Sequence, residues 1–153
     1  MTHLEPPRFE HLNNLLIAGL SERYSGDAIA GIPAQWRRFV PYIGRIPEQA
    51  GSATYGVCRV DGEGMEYICG VEVSGFTDIP PALTRVRIPE KRYAVFTHRG
   101  HISQIRDTWQ AILKQWLPAS GYLAANTPEF ERYSEEFDAR TGVGLEIWIP
   151  LRD

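Results

Sequence analysis

The chain has 153 residues, 43% of them hydrophobic, and a formal net charge of −3, which fits one globular domain able to bury a core. Its basic pairs, Arg37-Arg38 and Lys91-Arg92, are scattered, so the clustered positive charge that direct nucleic-acid binding needs is missing. The start, MTHLEPPRFE, is not a cationic segment leading into an apolar run, and the apolar residues 15–20 are too few to span a bilayer; no membrane association and a cytoplasmic location are expected.

In chain order, residues 14–24 read as a strand. Ile29, Ile32, Trp36, Phe39, Val40 and Ile43 then recur at helical spacing, with Gln35, Arg37 and Arg38 on the polar side. Pro33 suits a first turn, so the helix proper is expected from about Pro33, after a looser turn. Residues 54–60 and 65–74 form a hairpin around the turn Asp61-Gly62-Glu63-Gly64. The Pro-rich residues 77–89 join two halves and add a short extended piece at 83–87.

The second half repeats the first. A strand at 92–98 precedes a helix carrying Ile102, Ile105, Trp109, Ile112, Leu113 and Trp116, whose steps match those of the first helix; it is expected to stop at Leu117, before Pro118 and Gly121. Strands at 128–134 and 143–151 follow, and Gly70-Val71-Glu72-Val73 recurs as Gly144-Leu145-Glu146-Ile147, as Gly26 recurs at Gly100. The expected fold is α+β, one domain over 1–153. Two β-α-β-β units are related by a pseudo-two-fold axis, in an antiparallel sheet with two helices on one side and a cleft between the halves. Repeat one covers about 13–75, the linker about 76–90 and repeat two about 91–151.

Strand alternation sorts the side chains. Pairing Val60 with Met65 puts Cys58, Val60, Tyr67, Cys69, Val71 and Val73 under the helices, with Leu145, Ile147 and Ile149. The other face receives Tyr55, Val57, Ile68 and Glu72, with Glu146 and Trp148, and Tyr133 is expected there too. Two carboxylates among aromatic rings suit an organic cation, since rings attract the charge and cover its apolar body. Trp36 and Trp109 are expected mainly to pack the core while backing the pocket wall. Cys58 and Cys69 come out as diagonal neighbours beyond bridging distance. His98-Arg99-Gly100-His101 has no third ligand at zinc-like spacing, and phosphate-loop, dinucleotide and nucleophile-elbow patterns are absent, so neither metal nor cofactor is expected.

With the repeat, the helix Ile32-Pro33-Ala34-Gln35-Trp36-Arg37-Arg38-Phe39, the turns Tyr24-Ser25-Gly26 and His98-Arg99-Gly100, and the ending Glu146-Ile147-Trp148-Ile149-Pro150-Leu151, residues 14–151 resemble the gyrase-inhibitor-like, or AraC-type effector-binding, small-molecule-binding domains. The resemblance implies a cleft for hydrophobic, often cationic drugs, with a glutamate as counter-charge. By motif position that glutamate is similar to Glu146, with Trp148 and Tyr133 as neighbouring aromatics; strand alternation and the helix stripes add Tyr55, Glu72, Trp109 and Trp36 to the expected ligand site. Regulator members of the family carry a DNA-binding domain ahead of this module, whereas this chain starts a few residues before its first expected strand. Three roles are implied: binding or sequestering a small molecule, hydrolysing cyclopropane-bearing genotoxins with Glu146 as acid/base and Tyr133 polarising the substrate, or contacting a protein such as gyrase or a regulator. The third would use the acidic residues Glu129, Glu131, Glu135, Glu136 and Asp138.

Overall fold

The computed structural model describes residues 4–62 and 64–153, with the backbone alone for Gly26, Asp27, Ala28 and Asp61. Met1–His3 and Glu63 of the expected turn lie outside the described residues. The strands are β1 (Arg8–Leu12), β2 (Leu15–Ser25), β3 (Gln49–Asp61), β4 (Gly64–Val73), β5 (Thr84–Ile88), β6 (Lys91–Thr97), β7 (Glu129–Tyr133) and β8 (Leu145–Leu151). Helix α1 (Ile32–Phe39) lies between β2 and β3, and α2 (Ile105–Ala111) between β6 and β7.

All eight strands join one antiparallel sheet in the order β1-β6-β8-β7-β3-β4-β2-β5. Exchanging β1 with β5, β2 with β6, β3 with β7 and β4 with β8 reverses that order, so the strand order has two-fold symmetry about the β3/β7 pair. The unit is therefore β-β-α-β-β rather than β-α-β-β. Its leading strand was hidden at 8–12 because four of those five residues are exposed and carry no apolar alternation. β1 pairs with β6 of the second half, and β5 pairs with β2 of the first. Each half thus has its outer edge covered by the other's leading strand.

The hairpin register is the one the sequence suggested, Val60 opposite Met65. Cys58, Tyr67, Cys69, Val71 and Val73 pack with Phe39 under α1, and Ile147 and Ile149 pack with Ile112 at the second helix. Val60 lies on the same face but is 67% exposed. On the opposite face the sheet curls, so that Leu15, Ile17, Val86 and Ile88 from one end share a cluster with Tyr93, Val95 and Trp148 from the other.

Two local expectations change. Gln35, assigned to the polar side of α1, is fully buried: its amide nitrogen donates to the carbonyl oxygens of Leu20 (2.9 Å) and Tyr67 (2.8 Å), and its Oε1 accepts from the Tyr24 hydroxyl (2.7 Å). It pins α1 to β2 and β4. The second helix does not stop at Leu117 but runs through a π turn (Ile112–Trp116) into a last α turn (Leu117–Ser120). Pro118 cannot donate to the preceding turn, and the wider π turn accommodates that loss. The helix ends at Gly121, whose φ of 84° suits a residue without a side chain.

Candidate functional site

β3 and β7 run side by side at the middle of the sheet, between the two helices. Their ladder pairs Thr54 with Tyr133, Gly56 with Glu131 and Cys58 with Glu129, all on the helix-bearing face. Gly56 supplies a gap there: a Cβ on it would fall on the Tyr67 hydroxyl and lie 2.8 Å from Glu131 Oε1. Into that gap β7 points the Glu131 carboxylate, which is 5% exposed.

Three donors hold the carboxylate. Tyr67 and Tyr133 hydroxyls donate to Oε1 at 2.8 and 2.7 Å, and the Trp109 indole N–H donates to Oε2 at 2.7 Å. Trp36, reaching over from α1, donates to the Tyr67 hydroxyl at 3.2 Å and sets its ring edge-on to Tyr133 with centroids 5.3 Å apart. The repeat-related tryptophans of the two helices thus converge on one carboxylate. Among the described residues, Glu131 has no ion-paired cation. These donors orient the carboxylate, yet none of them brings a positive charge into its low-dielectric setting.

The carboxylate's charge is felt by its neighbours. Burial first, and Glu131 second, push the Tyr67 and Tyr133 hydroxyls well above the usual phenol range, so both remain neutral donors. The same two causes raise the Glu129 carboxyl to about 7. Burial also raises the thiols of Cys58 and Cys69, both buried and free.

Of the seven residues singled out from the sequence, Trp36, Trp109 and Tyr133 gather here. Tyr133 does not join Glu146, because its partner across the ladder is Thr54, in phase with Gly56 and opposite in phase to Tyr55. Glu146, Trp148, Tyr55 and Glu72 are on the other face. Glu146 is ion-paired with Arg8 of β1 at 2.7 Å and accepts from the Trp148 indole at 3.2 Å; the Arg8 guanidinium also lies 5.9 Å from the Trp148 ring centroid. A carboxylate and an aromatic ring do hold a cation there, and that cation is the protein's own arginine. Tyr55 and Glu72 line a separate depression of about 330 Å³ with Arg132 and Ser134.

In sequence Glu131 reads as one of a run of acidic residues, Glu129 to Asp138. Its signal was the alternation Glu129, Glu131, Tyr133 in antiphase with Phe130, together with a glycine available to face it on β3. His98 is buried, bonded through Nδ1 to Thr108 Oγ1 (2.8 Å) and through Nε2 to the His101 carbonyl (3.1 Å). Among the described residues no three His, Cys, Asp or Glu side chains cluster to hold a metal, and no helix is long and apolar enough to cross a membrane.

A curled antiparallel sheet with two helices thus frames an aromatic-lined carboxylate. The family model for the GyrI-like small molecule binding domain matches residues 5–152, and the chain belongs to that family. It is 34% identical over 133 residues to the transcriptional regulator BrlR of Pseudomonas aeruginosa, covering 82% of this chain and 47% of that protein. It is 30% identical over 86 residues to the probable transcriptional regulator YgiV of Escherichia coli, covering 55% and 54%. The chain spans about half the length of these curated relatives. Among solved structures, SAV2435 bound to tetraphenylphosphonium is similar in fold, with a TM-score of 0.78 at 20% identity over 97% of this chain and 94% of that one.

Proposed function

We propose that this domain takes up a hydrophobic organic cation on its helix-bearing face, with Glu131 as counter-charge and Trp36, Trp109, Tyr67 and Tyr133 as the aromatic walls. The observation carrying this reading is the buried carboxylate with no cationic partner among the described residues. Burying an anion in protein is costly unless a cation joins it, so the site favours a ligand whose charge is delocalised and cheap to desolvate. The aromatic donors now satisfying Glu131 close the site, and a ligand would displace at least one of them. The tetraphenylphosphonium complex of SAV2435 is consistent with a ligand of this kind. Such uptake would serve effector sensing or sequestration, in line with the regulators among the relatives.

Titration with tetraphenylphosphonium tests the assignment, using the wild type, Glu131→Gln and Glu146→Gln. Loss of the buried counter-charge is expected to weaken binding by roughly 10- to 100-fold, whereas Glu146→Gln, whose carboxylate already holds Arg8, is expected to change it less than threefold. Equal affinity for wild type and Glu131→Gln would overturn the assignment; a large loss in Glu146→Gln alone would move the site to the other face.

A second reading, hydrolysis of cyclopropane-bearing electrophiles, draws on the two tyrosine hydroxyls within 2.8 Å of Glu131. Carboxylate and phenol together could move a proton to a leaving group. Incubation with such compounds and mass analysis separates the readings: unchanged substrate after long exposure excludes turnover.

A further inference from the structure

Arg132 follows Glu131 on β7, and alternation sends it to the other face of the sheet. There it lies in the ladder between Glu146 of β8 and Tyr55 of β3. Glu146 is already taken by Arg8, and among the described residues Arg132 has no ion-paired carboxylate. Its one hydrogen bond there is long, 3.4 Å from Nε to the Tyr55 hydroxyl oxygen. The terminal nitrogens of the guanidinium fork are left unspent.

Tyr55 has the matching deficit. The residue is 5% exposed, its oxygen accepts from Arg132, and its own proton has no acceptor among the described residues. Burial holds the hydroxyl above the usual phenol range, so that proton stays on. Buried donors are ordinarily satisfied. Here two residues on adjacent strands carry unspent donors, and both line the depression of about 330 Å³.

The opposite wall follows from an irregularity in β3. Gln49 is opposite Val73 and Thr54 is opposite Val71, so β3 carries surplus residues against the single Glu72 of β4. They bulge out of the ladder, helped by Gly51, whose φ of 71° suits a residue without a side chain. Glu72 shares the face of Tyr55 and Arg132, and it makes no hydrogen bond or ion pair among the described residues. Two strands across and two residues along put the Cα atoms of Glu72 and Arg132 about 12 Å apart, a gap that two inward side chains and one small molecule can fill.

We infer that this depression is a second binding site, for a small zwitterion of the α-amino-acid class. The ligand's carboxylate would sit on the Arg132 fork and accept the Tyr55 proton, its ammonium would turn to Glu72, and Ala50 and Ala53 would cover a short apolar side chain. The charge of the rim selects this class: Glu72, Glu135 and Glu136 stand there against one guanidinium. A plain anion meets net repulsion, and a plain cation leaves Arg132 unpaired. The site is on the face opposite Glu131 and does not depend on the role given to that residue.

Three probes with one apolar body test it: L-leucine, leucinamide, which lacks the carboxylate, and isocaproate, which lacks the amine. Each is titrated into isotope-labelled protein at pH 6.5 and followed by NMR at the Tyr55 amide and the Arg132 Nε–H. Leucine is expected to bind about fivefold tighter than either analogue. Arg132→Gln is expected to erase its advantage over leucinamide, Tyr55→Phe to reduce it, and Glu72→Gln to erase its advantage over isocaproate, with the spectra reporting that each variant is folded. No shift at these positions with leucine up to about 50 mM, equal affinity for the three probes, or an advantage undiminished in Arg132→Gln overturns the site.

Discussion

Gly56 acts through the side chain it lacks. Any Cβ would meet the Tyr67 hydroxyl and the Glu131 carboxylate at once, so Gly56→Ala is expected to cost roughly 1–3 kcal/mol, measured by denaturant unfolding, and to weaken tetraphenylphosphonium binding in the same preparation. Glu129 leads to a different expectation. Its folded-state value of about 7 lies above that of an unfolded carboxyl, so the native state keeps a proton that the unfolded chain has released. Stability therefore falls as pH rises from about 4.5 to about 7 and levels off above that. Glu129→Gln removes this slope. The variant is expected to be more stable than wild type at pH 8, by something like 2 kcal/mol, and no more stable at pH 4.5; a wild-type advantage at pH 8 in thermal melts would contradict the assignment.

Within the elements, alternation and helical spacing carried most of the information available to a reader of the sequence. Leu145, Ile147 and Ile149 fall in phase on β8, and the matching stripes around Trp36 and Trp109 located both helices. Three things escaped for stated reasons. β1 is exposed on nearly every residue, so no pattern betrays it. Alternation against Phe130 groups Tyr133 with Glu131, but which face the pair takes is set by the register with β3, a partner far away in the chain. Gln35 is polar but sits at the helix–sheet seam, where hydrogen bonds to two strand carbonyls replace water. Its replacement by alanine would strip α1 of these anchors and is expected to cost roughly 2–3 kcal/mol, read from the unfolding midpoint; a loss under 0.5 kcal/mol would show that α1 is held by apolar packing alone.

At the level of the whole molecule, the symmetry of the strand order puts the carboxylate near the axis relating the halves. Each half supplies one tryptophan to it, Trp109 directly and Trp36 through Tyr67. The leading strands tie the halves together a second time, at the two outer edges of the sheet. Deleting residues through Leu12 is accordingly expected to lower amide-exchange protection in β6 of the second half while sparing β2, although β2 follows β1 directly in sequence. Loss of protection in β2 alone would mean that the edge contact contributes little. The same deletion removes Arg8 and would leave Glu146 without its cation.

The crossing of β1 and β5 between halves also bears on how the chain is made. During synthesis β1 emerges first, but its seat beside β6 exists only once Lys91–Thr97 has been added, and the edge of β2 stays bare until Thr84–Ile88 follows. The first half alone thus has one strand without a seat and one edge left bare, so its sheet is complete only once the second half has appeared. Conversely, two polypeptides cut in the Pro-rich connection ahead of Thr84 would each carry the strand the other lacks, which suits them to find each other and rebuild the sheet from separate pieces.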